Sequence, residues 1–217
     1  MTAGDTARPT TVTFDLGGVL IDWNPRYLYQ QLFDDDDEME RFLAEVTTQE
    51  WNAAQDAGRS WADAVEVLTA EFPDHRDLIE AYHTRWPEML GDAIHGTVRI
   101  LDELRGRGVR LFALSNWSAE TFPVALERYP FLGWFDGIVI SGEVKAAKPD
   151  VRIFQALIDR HEVEPPVTVF VDDNEPNVTA AAAMGFIALR FHDPDRLRDD
   201  LERLGLLVRS DSLGLLR

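Results

Sequence analysis

The strongest constraint on the fold of this chain is the alternation of short apolar strands with amphipathic helices in its second half. Runs rich in β-branched and aromatic residues, which are typical of strands, are followed by segments with the apolar spacing of helices. The predicted strands cover residues 109–114, 137–140, 167–171 and 186–190, and the predicted helices cover residues 97–107, 119–128, 151–161, 177–184 and 193–204. Because such strands pair in parallel and are buried on both faces, we expect an α/β protein with a doubly wound parallel sheet.

Another strand is predicted near the N-terminus, where the β-branched and apolar residues 11–14 stop at Asp15. Two glycines, Gly17 and Gly18, follow the acid. A carboxylate at the carboxyl end of a strand, before a turn that glycine makes at low cost, is how open α/β sheets present chemistry. From these residues alone, Asp15 is either a nucleophile or the cap of a turn.

Residues 23–90 have helical periods and no convincing strand pattern. Ser60, for example, is a helix-capping residue before residues 61–68, which have helical spacing. We therefore expect a small all-α cap over residues 23–90, inserted after the first strand of an α/β core that comprises residues 10–22 and 91–217.

The charge of the chain excludes one class of partner. Lys and Arg number 21 against 39 Asp and Glu, so the formal net charge is −18, and a chain this acidic repels nucleic acid. The absence of cysteine excludes disulfides, a thiolate zinc site and a thiol nucleophile. Because residues 1–9 are polar and no apolar run has the length of a membrane span, we expect a cytoplasmic protein with no membrane partner.

Three predicted strands end in polar residues, and a lysine lies between the second and third of these ends: Asp15, then Ser115 and Asn116, then Lys148, then Asp172 and Asp173. In a doubly wound sheet, ligands bind outside the carboxyl ends of the strands. Carboxylates suit a hard cation such as Mg²⁺, and hydroxyl, amide and ammonium groups hold phosphate oxygens. This set makes metal-assisted phosphoryl chemistry plausible, with an aspartyl-phosphate on Asp15.

Four short motifs carry a resemblance to a known family: FDLGGV at residues 14–19, LSN at 114–116, KP at 148–149 and VDDN at 171–174. They resemble the four ordered motifs of the haloacid dehalogenase superfamily, and the helical insertion resembles its type 1 cap. The resemblance covers nearly the whole chain. The Asp-Leu-Gly-Gly pattern is similar to a branch of sugar-phosphate phosphatases and of the phosphatase domain of bifunctional epoxide hydrolases.

The resemblance implies a metal site. Asp15 is then the nucleophile and a ligand, and the backbone carbonyl of Gly17 is a second ligand. Asp173 is the implied direct carboxylate ligand from the last motif, with Asp172 acting directly or through water.

The resemblance also implies a phosphate site. Ser115 and the backbone of Asn116 bind the phosphate, while Lys148 pairs with Asp15 and with the phosphate. The chain departs from the family at one position, because most phosphatases of the superfamily place a general acid where this chain has Gly17. Asp22, just beyond the glycine turn, is a candidate substitute donor, although a hinge residue at the start of the cap is the other interpretation.

These expectations favour a Mg²⁺-dependent hydrolase of small phosphomonoesters, with a sugar phosphate as the suggested substrate. One alternative is a metal-independent 2-haloacid dehalogenase, which attacks carbon and also lacks the acid that Gly17 replaces. Asp172 and Asp173 argue against it, since adjacent acids beside Asp15 repel one another without a cation. The other alternative is a catalytically weak regulator that binds phosphate or a partner protein.

Overall fold

The computed structural model describes residues 8–208; residues 1–7 of the polar N-terminal segment and residues 209–217 of the predicted core segment lie outside the described residues. The strands are β1 Thr11–Phe14, β2 Ile21–Trp23, β3 Leu90–Ala93, β4 Arg110–Ser115, β5 Gly137–Ile140, β6 Thr168–Asp172 and β7 Ile187–Arg190. The helices are α1 Arg26–Tyr29, α2 Asp36–Glu45, α3 Gln49–Asp56, α4 Trp61–Glu71, α5 Arg76–Thr84, α6 His95–Gly106, α7 Phe122–Arg128, α8 Ser141–Val144, α9 Val151–His161, α10 Glu175–Ala183 and α11 Pro194–Arg203.

Five strands form one parallel sheet in the order β5-β4-β1-β6-β7. β1 is central, with Thr11 in register with Arg110 of β4 on one side and Thr168 of β6 on the other. The sequence expectation of a doubly wound parallel α/β sheet is confirmed. Since all three central strands point the same way, their carboxyl ends meet at one edge.

Helices cover both faces of this sheet. Along β4, Leu111 and Ala113 face the apolar cluster that includes residues of α6 and α11, whereas Phe112 and Leu114 face the cluster that includes residues of α9. This alternation is the period of two that a strand imposes on its side chains. Among the described residues, no helix is long and apolar enough to cross a membrane.

The structure adds two short strands at the ends of the predicted all-helical insertion. β2 and β3 pair antiparallel, with Ile21 opposite Ala93 and Trp23 opposite Leu90. The sequence analysis missed them because strands of three and four residues are too short to show an alternating pattern. The starts of three helices also differ by two or three residues: α6 begins at His95 rather than at 97, α7 at Phe122 rather than at 119, and α10 at Glu175 rather than at 177.

The five helices α1 to α5, which we call the helical insertion, lie between β2 and β3. Aromatic rings hold them together: the ring of Tyr82 lies 5.6 Å from that of Trp61 and 5.1 Å from that of Trp51. Thr48 caps α3 by accepting a hydrogen bond from the backbone N–H of Trp51, and Ser60 caps α4 in the same way. This packing fixes the orientation of α3.

Candidate active site

A cluster of polar side chains forms where β1, β4 and β6 end. Asp15 follows β1, Ser115 is the last residue of β4, and Asp172 is the last residue of β6. Carboxylate oxygens of Asp15, Asp172 and Asp173 all lie within 4.8 Å of one another. The hydroxyl of Ser115 donates a 2.7 Å hydrogen bond to Oδ1 of Asp15. The parallel sheet therefore brings together side chains that are far apart in the sequence.

Lys148 is completely buried behind these carboxylates. Its Nζ lies 2.9 Å from Oδ2 of Asp15 and 2.7 Å from Oδ2 of Asp172, and it donates a 2.7 Å hydrogen bond to the carbonyl of Leu114. Three acceptors use all three N–H donors of an ammonium group. The geometry therefore supports a pairing with Asp15, but it offers no surface of Lys148 to a phosphate in the cavity.

The two adjacent acids after β6 have different environments. Asp172 is fully buried and accepts hydrogen bonds from Lys148, from the backbone N–H of Asn174 and from the side-chain amide of Asn177. Asp173 is exposed and lines the cavity described below. The sequence pattern predicts only a helix at Asn177 and gives no sign of this contact with Asp172.

The crowded charges shift the pKa values of the cluster. Burial raises the pKa of Asp15 to about 7, against the opposing effect of Lys148 and with a further contribution from Asp172. Partial burial and the charge of Asp172 also raise the pKa of Asp173. Burial alone lowers the pKa of Lys148, but Asp15 and Asp172 together raise it above its usual range. The carboxylates thus carry more negative charge than one lysine balances.

The two glycines after Asp15 differ in whether a side chain would fit at their positions. Gly18 has φ of +72°, and a Cβ there would lie 2.6 Å from Oδ2 of Asp173, so glycine is required. A Cβ on Gly17 would meet nothing within 4 Å, and Gly17 lines the cavity. Its carbonyl oxygen accepts none of the hydrogen bonds found in the described part of the chain, so it remains available as a ligand.

Asn116 holds the backbone of Lys148. Its side-chain oxygen accepts a 2.7 Å hydrogen bond from the N–H of Lys148, and its amide nitrogen donates a 3.0 Å hydrogen bond to the carbonyl of the same residue. Asn116 also lines the cavity. Its side chain is thus a support for Lys148, a part that the sequence did not predict.

A cavity of about 480 Å³ opens over the carboxylate cluster. That size suits a small metabolite. Indole rings, amides and charged groups line it together. The lining includes Asp15, Gly17, Ser115, Asn116, Trp117 and Asp173 of the core. It also includes Trp23, Asn24, Arg26, Gln49, Asn52, Asp56 and Trp86, from β2 and from the chain between β2 and β3.

Asp22, the candidate proton donor from the sequence, does not line this cavity. Asp22 lies on β2 between Ile21 and Trp23, and it is Trp23 that faces the cavity. The pairing of β2 with β3 is irregular between Ile21 and Trp23, and the side chain of Asp22 contacts residues outside the cavity-facing side of Trp23. There its carboxylate accepts a hydrogen bond from the hydroxyl of Tyr27 and packs against Gly91.

A different acid, Asp56, lines the cavity, and the sequence analysis did not single it out. Asp56 is the last residue of α3. Burial raises its pKa to about 7; a hydrogen bond from the backbone N–H of Ser118 opposes this effect, and the charge of Asp15 adds to it. A signal was present in the sequence, because Gln49, Asn52 and Asp56 are spaced by three and four residues and therefore share one helical face.

Comparison with known proteins decides the family. Residues 9–185 match the haloacid dehalogenase-like hydrolases. The chain belongs to this family of enzymes. The resemblance seen in the four sequence motifs is thus confirmed for this haloacid dehalogenase-like hydrolase, which is similar both to phosphatases and to dehalogenases.

The chain is 27% identical to the sesquiterpene phosphatase astK of Aspergillus oryzae over 180 residues, which cover 83% of this chain and 88% of the relative. It is 30% identical to (S)-2-haloacid dehalogenase 1 of a Pseudomonas species over 117 residues, 53% of this chain and 48% of that protein. A solved structure of a haloacid dehalogenase family enzyme from Bacteroides thetaiotaomicron, in complex with magnesium and inorganic phosphate, has a TM-score of 0.64 at 22% identity and covers 85% of this chain and 95% of that one.

The donor set of this haloacid dehalogenase-like hydrolase fits a divalent cation. Asp15 and Asp173 both line the cavity, their oxygens lie close together, and Gly17 adds a carbonyl. Hard cations such as Mg²⁺ take carboxylate and carbonyl oxygens of this kind. Asp172 has its oxygens engaged by Lys148 and Asn177, so it supports the site from behind.

Proposed function

We propose that this haloacid dehalogenase-like hydrolase is a Mg²⁺-dependent phosphatase of small phosphomonoesters, with Asp15 as its nucleophile. The carboxylate cluster carries the proposal, because oxygens of Asp15, Asp172 and Asp173 lie within 4.8 Å of one another. Among residues 8–208, one lysine, Lys148, forms ion pairs with this cluster. Like charges this close repel unless a cation offsets them. A divalent cation in the cavity would do so beside Asp15 and Asp173.

The neighbours of Asp15 orient it for attack. Its Oδ1 accepts hydrogen bonds from the hydroxyl of Ser115 and from the N–H of Leu16, both at 2.7 Å, and its Oδ2 faces Lys148. These contacts favour the carboxylate form, which attacks phosphorus to give an aspartyl-phosphate while the ester oxygen departs. Water then attacks the same phosphorus, and Asp15 is released. The bound cation would supply charge stabilisation at the phosphoryl oxygens.

We propose that residues 23–90 act as a cap over a core made of residues 10–22 and 91–217. The cavity supports this division, since Trp23, Asn52 and Trp86 come from the first segment and Ser115 and Trp117 from the second. A substrate in the cavity would be enclosed between the two. Enclosure would keep water from the site until the aspartyl-phosphate has formed.

The substrate would be a small phosphorylated metabolite. Amides of Asn24, Gln49 and Asn52 suit the hydroxyls of a sugar phosphate, whereas the indoles of Trp23 and Trp86 suit an apolar leaving group. The similarity to a sesquiterpene phosphatase favours including the second class in any test. The lack of cysteine supports a cytoplasmic location for this activity.

The test is hydrolysis of p-nitrophenyl phosphate and of a panel of sugar and isoprenoid monophosphates, with Mg²⁺ and with EDTA. We expect turnover only with Mg²⁺ and its loss in Asp15→Asn. The control is Asp63→Asn, which removes a carboxylate from an exposed position of α4 outside the cavity. Mg²⁺ binding without turnover anywhere in the panel would instead favour a phosphate- or partner-binding regulator.

The alternative function is dehalogenation of a 2-haloacid, and the similarity to a haloacid dehalogenase supports it. In that reaction, Asp15 would attack a carbon atom and displace halide without a cation. Halide release from a 2-haloacid is therefore measured in EDTA beside the phosphatase panel. Release that depends on Asp15 and not on Mg²⁺ would overturn the phosphatase proposal.

A further inference from the structure

The carboxyl group of Asp56 lies on the wall of the cavity that Asp15 and Gly17 also line. It comes from the C-terminal end of α3, in the helical insertion, and not from the turn after β1. The proposed chemistry needs a proton for the departing ester oxygen, and the glycine turn provides no side chain for it. Asp22 does not line the cavity, and of the acids among the described residues that do, Asp56 is the one outside the proposed cation site of Asp15 and Asp173.

The core holds Asp56 in place. The hydroxyl of Ser141 donates a hydrogen bond to the carbonyl of Asp56, and the same hydroxyl accepts a 2.9 Å hydrogen bond from the N–H of Trp117. The N–H of Ser118 donates to the carboxylate of Asp56. These contacts connect Asp56 to the loop after β4 and to the first residue of α8. Asp56 is therefore fixed relative to Ser115, the last residue of β4, although it belongs to the insertion.

The surroundings of Asp56 favour a carboxyl group that changes its protonation state near neutral pH. Burial raises its pKa to about 7, and the charge of Asp15 adds to this effect while Ser118 opposes it. Tyr82 on α5 also faces Asp56, and burial keeps its own pKa well above the usual value, so this phenol is neutral. Lys145 packs beside Gly58 just after α3, but in the described part of the chain no ion pair includes Asp56.

Asn52 can serve both protonation states of Asp56. Its amide nitrogen donates a 3.2 Å hydrogen bond to Oδ2 of Asp56, which suits the carboxylate. Its Oδ1 is buried and has no hydrogen-bond partner among the residues that the structure describes. Rotation of the amide by half a turn would present that oxygen to a protonated Asp56, whose O–H would then donate.

We propose that Asp56 is the general acid and base of this enzyme and replaces the side chain that Gly17 lacks. The inference rests on the phosphatase function proposed above. In the first step, Asp15 forms a bond to phosphorus, the bond between phosphorus and the ester oxygen breaks, and Asp56 gives its proton to that oxygen. In the second step, water attacks the phosphorus of the aspartyl-phosphate, the carboxylate of Asp56 takes a proton from the water, and Asp15 leaves as a carboxylate. The net reaction is hydrolysis of the ester to an alcohol and inorganic phosphate.

The first test compares a poor with a good leaving group. An alkyl phosphate needs a proton on its departing oxygen, whereas p-nitrophenolate departs without one. We expect Asp56→Asn to lower kcat for the best alkyl phosphate of the panel by about 10²- to 10³-fold and kcat for p-nitrophenyl phosphate by less than about tenfold. The alkaline limb of the kcat profile for the alkyl phosphate should also disappear. Asp63→Asn, at an exposed position of α4, should leave kcat for both substrates unchanged.

The second test places a carboxyl group at position 17, in the glycine turn after Asp15. Since a Cβ on Gly17 meets nothing within 4 Å, Gly17→Asp should be accommodated. In the Asp56→Asn background, Gly17→Asp should raise kcat for the alkyl phosphate at least tenfold. Ser141→Ala keeps the carboxyl group of Asp56 but removes the hydroxyl that bonds the carbonyl of Asp56 and the N–H of Trp117, so it separates the proposed role from one of holding α3 on the core.

The outcomes distinguish this inference from the function on which it rests. If the wild-type protein lacks phosphatase activity, the proposed function fails, and this inference fails with it. If the wild-type protein is active but Asp56→Asn slows both substrates equally, as Ser141→Ala does, Asp56 only holds the insertion in place and the inference alone is wrong. Failure of Gly17→Asp to rescue a folded Asp56→Asn protein would also contradict it.

Discussion

The ammonium group of Lys148 lies 2.9 Å from the carboxylate of Asp15, yet Lys148 has no surface on the cavity that Asp15 lines. Its other two contacts are the carboxylate of Asp172 and the carbonyl of Leu114. Lys148 is therefore a charge placed behind the nucleophile. It offsets the charge of two buried acids, and it leaves the cavity side of Asp15 open for a cation and a phosphate.

Replacement of Lys148 by methionine should destabilise the fold strongly, because Asp172 would be left buried without its counter-charge. Removal of one partner of a buried ion pair costs about 3–5 kcal/mol. The measurement is the free energy of unfolding in urea. Lys145→Met is the matched control, and it should cost less than about 1 kcal/mol, since Lys145 takes part in no ion pair among residues 8–208.

If the two lysine variants unfold at the same urea concentration, the buried pair contributes little. A double variant identifies the source of the expected loss of stability. In Lys148→Met combined with Asp172→Asn, the charge of Asp172 is gone and only that of Asp15 lacks its counter-charge, so the double variant should be more stable than the sum of the two single changes predicts.

Gly17 and Gly18 are adjacent, but substitution by alanine should lower the stability of the protein at Gly18 and leave it nearly unchanged at Gly17. Gly18→Ala forces a side chain into a backbone with φ of +72° and places its Cβ 2.6 Å from Oδ2 of Asp173. We expect lower stability, by at least about 1 kcal/mol, and weaker Mg²⁺ binding, because Asp173 must move.

Gly17→Ala is the control for that change, since its Cβ meets nothing within 4 Å. Its melting temperature and its Mg²⁺ affinity, measured by calorimetry, should stay close to those of the wild type. Equal loss of Mg²⁺ affinity in both variants would show that Asp173 is not the side chain through which Gly18 acts.

Asp56 should make stability depend on pH. Its pKa is about 7 in the folded protein against an ordinary 3.8, so between these values the folded protein holds a proton that the unfolded chain has lost. Stability therefore falls as the pH rises through this window, and above it the full cost of the buried charge remains.

Asp56→Asn removes this cost. Its unfolding free energy relative to the wild type should increase between pH of roughly 5 and roughly 8. The measurement is thermal or urea unfolding at both pH values, with Asp63→Asn as a control that should show no such trend. A constant difference between Asp56→Asn and the wild type would mean that Asp56 does not titrate in this range.

The strands that carry the cluster were predictable, because β1, β4 and β6 are runs rich in apolar and β-branched residues, with a polar residue at the end of each or directly after it. Their parallel pairing then follows from the helices between them, and with it the proximity of Asp15, Ser115 and Asp172. The family motifs pointed to the same residues.

Other features depend on tertiary contacts that no local pattern encodes. β2 is three residues long, so the orientation of Asp22 away from the cavity became visible only with its pairing to β3. Asp56 was not predicted because its part depends on how α3 packs over the carboxyl end of the sheet. The burial of Lys148 was likewise not visible, since sequence spacing does not show which side of Asp15 a lysine occupies.

The most direct test of the account is the fate of oxygen-18 from labelled water during many turnovers. If Asp15 attacks phosphorus, water later attacks that phosphorus too, so the label should appear in inorganic phosphate and the peptide that contains Asp15 should stay unlabelled by mass spectrometry. If Asp15 attacks carbon instead, water cleaves the resulting ester at the carboxyl carbon of Asp15. Label in the Asp15 peptide, with halide rather than phosphate released, would contradict the account.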